Sequence, residues 1–246
     1  MKRLTAYQRI MIRELAKTGS LNEIYTRLSL PKSTVQYWYS DYSNYVAPKS
    51  LRFDLGSNLS VGEFMGAFAG DGNYTKDRAY KHQIRIYINR ADTGYINHLK
   101  GLMFSLFGKN PSIFIDTKKN VAVLRLVSAD LIAFIRTYLR WEHTKTKTVR
   151  LAPGVKRTKG FITGFLKGLM DTDGYINKKQ HVAVFSTISS NLARDIGTSL
   201  RGLGIKYNCY KNIDKRPNYN PIFRVAVRQD FLKFINIIKP YHANNF

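Results

Sequence analysis

The residues most suited to chemistry lie in a motif that occurs twice. Val61-Gly62-Glu63-Phe64-Met65-Gly66-Ala67-Phe68-Ala69-Gly70-Asp71-Gly72 aligns with Thr163-Gly164-Phe165-Leu166-Lys167-Gly168-Leu169-Met170-Asp171-Thr172-Asp173-Gly174 at a constant offset of 102. Gly62, Gly66, Asp71 and Gly72 recur as Gly164, Gly168, Asp173 and Gly174. Glycines four apart share one helical face and let two helix backbones approach closely. A glycine inside a helix costs ~1 kcal/mol against alanine, so the pattern predicts a helix–helix interface built on Gly62, Gly66, Gly164 and Gly168. Gly72 and Gly174 read as left-handed C-caps. Asp71 and Asp173 then stand at helix C-termini, the negative end of each dipole. If the helices pack side by side, the two carboxylates also confront each other, an arrangement suited to a divalent cation. An Asp-Gly pair after a helix is ordinarily only a stop signal, but two copies at matched positions argue for chemistry.

The paired motif resembles that of the LAGLIDADG homing endonucleases in their single-chain, two-motif form, over about residues 60–246. The resemblance implies an α+β fold of two pseudo-symmetric αββαββα halves, with the motif helices at the central interface. Their four-stranded sheets would form a saddle over the DNA major groove. It implies that Asp71 and Asp173 are catalytic and bind Mg²⁺ or another divalent cation. The motif's first acid is Asp171 in the second copy but Ala69 in the first. The family also places a lysine near each active centre, after a Pro-aromatic pattern. Arg140-Trp141-Glu142-His143-Thr144-Lys145 makes Lys145 that candidate, whereas Pro240-Tyr241-His242-Ala243-Asn244-Asn245 puts Asn245 where the second lysine would be. The implied activity is site-specific hydrolysis of double-stranded DNA. Two alternatives are a DNA-binding regulator that has lost cleavage and an RNA maturase acting on intron RNA.

The elements that must position these residues also repeat. Gln83–Ile88 and His181–Ser186 read as strands, each followed by a helix ending at Gly108 or Gly204. Leu126–Asp130 pairs with Ala226–Asp230, and Ala133-Phe134-Ile135 with Lys233-Phe234-Ile235, at an offset of 100. The reading is a first half over 60–145, a Thr-rich basic linker over 146–160 and a second half over 161–246. Strand residues Arg85, Tyr87 and Asn89 in the first half, and Lys206, Asn208 and Arg224 in the second, are candidate base contacts. Arginine to guanine and asparagine to adenine are the favoured pairings.

The first 48 residues lack the motif, and 49–59 read as a linker. Tyr7, Met11 and Leu15 recur at helical spacing up to Gly19. Ser20-Leu-Asn-Glu23 has capping-box spacing for a second helix with Ile24 and Leu28 inward. Pro31 opens a third helix in which Val35 and Trp38 face inward and Lys32, Ser33, Gln36 and Tyr37 face outward. Three short helices with a polar-faced third resemble a helix-turn-helix module, which docks that helix in the major groove.

Composition agrees with a nucleic-acid partner. The 246 residues carry 40 Lys+Arg against 16 Asp+Glu, a net charge of +24. The excess is +5 over 1–50, +8 over 51–150 and +11 over 151–246, so it is no detachable tail. A polyanionic partner relieves that self-repulsion. At 44% hydrophobic residues the chain can fill a core. The single cysteine, Cys209, excludes a disulfide framework and a cysteine zinc site. No apolar run approaches the ~18 residues of a membrane span. The expectation is an intracellular monomer, cytoplasmic, nucleoid-associated or in an organelle.

Overall fold

The structure, a computed structural model, describes residues 12, 21–36, 58–76, 82–213 and 219–244. The chain divides into two compact units, Met1–Leu51 and Arg52–Phe246.

In the first unit, helix α1 spans Leu21–Leu28 and residues 32–36 are again helical. Between them Ser29 adopts φ 50°, and the Pro31 carbonyl accepts from the amides of Thr34 and Val35 at 2.9 and 3.1 Å. Ile12, Ile24 and Val35 are fully buried, while Lys32, Ser33 and Gln36 are exposed. Tyr7, Met11, Leu15, Gly19, Ser20, Tyr37 and Trp38, and with them the capping box, lie outside the described residues.

The second unit repeats one pattern. Helix α2 (Asn58–Asp71) leads into β1 (Gly72–Lys76) and β2 (His82–Asn89), α3 (Thr93–Phe107), β3 (Ser112–Asp116), β4 (Val121–Val127) and α4 (Ala129–Tyr138). A ribbon of β5 (Leu139–Arg140) and β6 (Arg150–Leu151) flanks the short helix α5 (Lys145–Thr148). Then come α6 (Lys159–Asp173), β7 (Gly174–Asn177), β8 (Val182–Thr187), α7 (Ser190–Gly202), β9 (Asn208–Asn212), β10 (Ile222–Val227), α8 (Phe231–Ile238) and α9 (Tyr241–Asn244). Each half is thus αββαββα, as the repeat predicts. The sheets are antiparallel and share one order, β1-β2-β4-β3 and β7-β8-β10-β9.

Local chemistry explains the boundaries. Asp92, Ser128, Thr158 and Ser189 each accept a backbone amide at the start of a helix, satisfying an orphan donor. Gly108 closes α3 at φ 63° in the left-handed region, where a side chain would be strained. In β2 the period of two buries Ile84, Ile86 and Ile88 and turns Arg85, Tyr87 and Asn89 to the other face. In β10 the alternation fails: Val225, Ala226 and Val227 are all buried. Among the described residues no helix is long and apolar enough to cross a membrane.

Candidate functional site

The motif helices α2 and α6 pack backbone to backbone. A methyl added at Gly62 would lie 2.9 Å from the Phe165 amide nitrogen, and one at Gly66 2.8 Å from that of Leu169. From the other side, a methyl at Gly164 would lie 2.8 Å from the Glu63 nitrogen and one at Gly168 2.6 Å from that of Ala67. All four positions therefore require glycine for close approach. Gly72 and Gly174 have a different reason from the one their sequence suggests. Gly174 is extended, at φ −92° and ψ 160°, and neither residue has positive φ. Both begin strands, where a Cβ would strike the preceding turn of helix, 2.7 Å from Cα of Phe68 or Met170. They are steric necessities rather than left-handed caps.

The helices end in Asp71 and Asp173. A methyl at Gly70 would come within 3.2 Å of the Asp173 carboxylate, which shows how closely the ends abut. Burial pushes the Asp71 carboxyl up to about 6, helped by the neighbouring Asp173 charge and opposed by Lys145. The Asp173 carboxyl is raised too, by desolvation, and is held back by Lys145. Asp173 is the more exposed of the two side chains, which limits that effect. Two hard oxygen donors short of positive charge fit a divalent cation completed by phosphate oxygens and water. Among the described residues no cluster of three or more His, Cys, Asp or Glu forms a self-contained metal cage.

Lys145 reaches this point, but its ammonium is turned onto the first motif helix. Nζ donates to the carbonyls of Phe68, Ala69 and Gly70 at 2.8, 2.6 and 2.9 Å. It thereby caps orphan carbonyls at the negative end of the dipole. Burial lowers its pKa to about 8, against the charges of Asp173 and Asp71. Asn245 lies outside the described residues.

A second polar network escapes sequence reasoning. Glu63 on α2, nearly buried, ion-pairs with Lys167 on α6 and with His98, whose Nε2 is 2.5 Å away. Burial raises the Glu63 carboxyl, but the His98 hydrogen bond and the Lys167 charge outweigh it, so the net shift is downward. Lys167 also approaches Asp171 Oδ2 at 3.4 Å. Asp171 Oδ1 accepts from the His242 backbone amide at 3.2 Å, and His242 Nε2 bonds Asp92. The i,i+4 spacing of Lys167 and Asp171 is the only trace of this network in the sequence.

Two clefts flank the paired acids. One, about 720 Å³, is lined by Asp71, Asp92, Tyr95, Asp171, Tyr241 and His242 among others. The other, about 270 Å³, is lined by Asp173, Gly70, Thr146 and Ser186 among others.

The candidate base contacts fall unevenly. Arg85, Tyr87 and Asn89 share the face of β2 opposite the buried isoleucines, and Arg125 joins them, directly across from Arg85. The Arg125 guanidinium lies 4.6 Å from the Phe114 ring centroid. The alternation of Val121–Val127 could have revealed it. Asn208 and Arg224 lie on one face of the second sheet, Arg224 beside exposed Tyr210. Lys206 is a correction: it precedes β9 and is not a strand residue, its backbone amide being bound by Asp230 at 2.7 Å.

Comparison with known proteins agrees with this architecture. Residues 160–239 match the LAGLIDADG-like domain family. No curated protein matches the chain by sequence. The homing endonuclease I-DmoI in complex with DNA and Ca is similar in structure at TM-score 0.56 and 17% identity, over 74% of this chain and 89% of that one. Its complex with DNA and Mn gives 0.54 and 16%, over 74% and 96%. The N-terminal LAGLIDADG domain of WhiA gives 0.51 and 15%, over 76% and 84%. The sequence resemblance thus holds: the chain carries a LAGLIDADG-like domain in its second half, and its two halves together have the two-motif LAGLIDADG fold.

Proposed function

We propose that the protein is a site-specific endonuclease of double-stranded DNA that works with Mg²⁺ or another divalent cation. The observation that carries this reading is the meeting of Asp71 and Asp173 at the abutting ends of two glycine-packed helices. A pair of carboxylates so crowded, both raised in pKa, is disfavoured for folding and calls for a cation. Asp71 and Asp173 would hold it, and when bound it would activate water and stabilise the leaving oxygen. The chain's own residues do the rest. Lys145 holds the first helix end in place and lends positive charge beside both acids. The sheet faces bearing Arg85, Tyr87, Asn89 and Arg125, and Asn208 and Arg224, would read base edges in the major groove, with Lys206 left for phosphate. Lys32, Ser33, Gln36 and Tyr37 would add contacts from the N-terminal unit. Because both motifs lie on one chain, a monomer suffices.

The test is a cleavage assay on a duplex recovered from a randomised library, in Mg²⁺ and in EDTA. Wild type should cut only with metal. Asp71→Asn and Asp173→Asn should abolish double-strand cleavage yet bind the duplex as well or better without metal, since each removes a negative charge facing phosphates. Cutting at the wild-type rate by either variant would sink the assignment. A second reading is a DNA-binding regulator without cleavage, since the likeness to WhiA shows the fold in a protein not named as a homing endonuclease. Tight, sequence-specific binding with no cutting in any divalent metal would establish it.

A further inference from the structure

The two clefts beside the acids are related by the internal repeat, yet their cations differ. At the end of the first motif helix the cation is Lys145, bound to three backbone carbonyls. The corresponding last turn of the second motif helix has Asp171 where the first has Ala69. The Asp171 side chain is completely buried; its Oδ1 accepts from the His242 backbone amide at 3.2 Å and lies 3.4 Å from His242 Nδ1, within ion-pair distance. His242 Nε2 bonds Asp92, the N-cap of α3 in the other half. Carboxylates beside both ring nitrogens favour the protonated imidazole: Asp171 and then Asp92 raise the His242 pKa against the opposing effect of burial. The ring thus stitches the C-terminal segment to the second motif helix and to the first half at once.

His242 also faces the cleft of Asp71. Tyr95 lies in the same wall, its ring centroid 4.9 Å from that of His242. The Tyr95 hydroxyl is buried with no hydrogen-bond partner. Asp71, Asp92 and Asp171 line this cavity, and His242 is the cation among its lining residues. Lys145 lies on the side of the Asp173 cleft, which its neighbours Thr146 and Val149 line.

We propose that His242 is a positioning residue that does for the Asp71 cleft what Lys145 does for the Asp173 cleft. Clamped between Asp171 and Asp92, it fixes the end of the second motif helix and brings a positive charge to the cleft that Asp71 lines. One DNA strand is then served from a lysine cleft and the other from a histidine cleft. This inference rests on the endonuclease reading, and it removes the need for a lysine at position 245.

The test follows each strand separately on an end-labelled duplex with the full chain in Mg²⁺. His242→Gln should slow the cut of one strand by about tenfold or more and leave the other within about twofold, so that nicked DNA accumulates. Lys145→Met should slow the opposite strand. His242→Lys should recover most of the lost rate, because it restores the charge between the two carboxylates. Duplex affinity in EDTA should be unchanged in His242→Gln. Equal slowing of both strands, slowing of the same strand as Lys145→Met, or no recovery by lysine would overturn the inference while leaving the endonuclease reading intact. A wild type that cuts neither strand would overturn both.

Discussion

Lys167 on the second motif helix is ion-paired with Glu63 on the first, across an interface whose close approach rests on glycines. Their side chains are 13% and 5% exposed, so each is the condition for burying the other. Lys167→Met should therefore leave Glu63 and Asp171 short of positive charge and cost about 3–5 kcal/mol. Adding Glu63→Gln to Lys167→Met should recover much of that loss, because the uncompensated charge goes with it. Urea unfolding of the single and double variants measures both. A near-neutral Lys167→Met would mean that His98 alone satisfies Glu63.

The crowded acids predict a pH effect on the metal-free protein. The Asp71 pKa rises from 3.8 to about 6 on folding, so between those values the native state holds more protons than the unfolded state. Stability attributable to this group then falls as pH rises through the window and is lost above about 6. Asp71→Asn should accordingly melt higher than wild type at pH 7–8 in EDTA, with the difference vanishing near pH 4. Each kcal/mol gained should appear as about 2–4 °C. A variant no more stable at pH 8 than at pH 4, relative to wild type, would show that the carboxylates do not strain the fold.

Glycines inside helices should divide sharply by environment. Gly66→Ala and Gly168→Ala gain helix propensity but place a methyl 2.8 or 2.6 Å from a backbone nitrogen of the facing helix. Overpacking of about 1–3 kcal/mol should prevail, with cleavage lost as the acids separate. Gly101, within α3, has nothing within 4 Å of an added Cβ. Gly101→Ala should stabilise by about 0.4–1 kcal/mol. Thermal melts of the three variants provide the comparison.

Removal of residues 1–51 should leave the second unit folded and its acids paired, since the motif elements all lie beyond that point. If about three basic side chains of that unit touch phosphates, the slope of log K against log[salt] should flatten by ~3 units, at ~0.9 per contact. Turnover at saturating protein should stay near wild type. An unchanged slope would mean that the N-terminal helices bind something other than DNA.

What the chain determines locally is legible without a structure. Helical spacing placed Gly62, Gly66, Gly164 and Gly168 on facing surfaces, and the repeat placed Asp71 and Asp173 at matched helix ends. The strand read over Gln83–Ile88 put Arg85, Tyr87 and Asn89 forward as groove-facing, and they lie opposite the buried Ile84, Ile86 and Ile88. Each of these depends only on the period of one element. The tertiary structure decided the rest, because it turns on how two halves dock. Lys145 meets carbonyls 75 to 77 residues away, Lys167 meets Glu63 across 104, and His242 meets Asp92 across 150. No local period encodes such pairings; they follow from the single register that glycine contact allows between the motif helices. Gly72 and Gly174 are necessary for space rather than for a left-handed turn for a local reason, since each strand leaves its helix at once in extended geometry and a Cβ would strike that helix's own last turn.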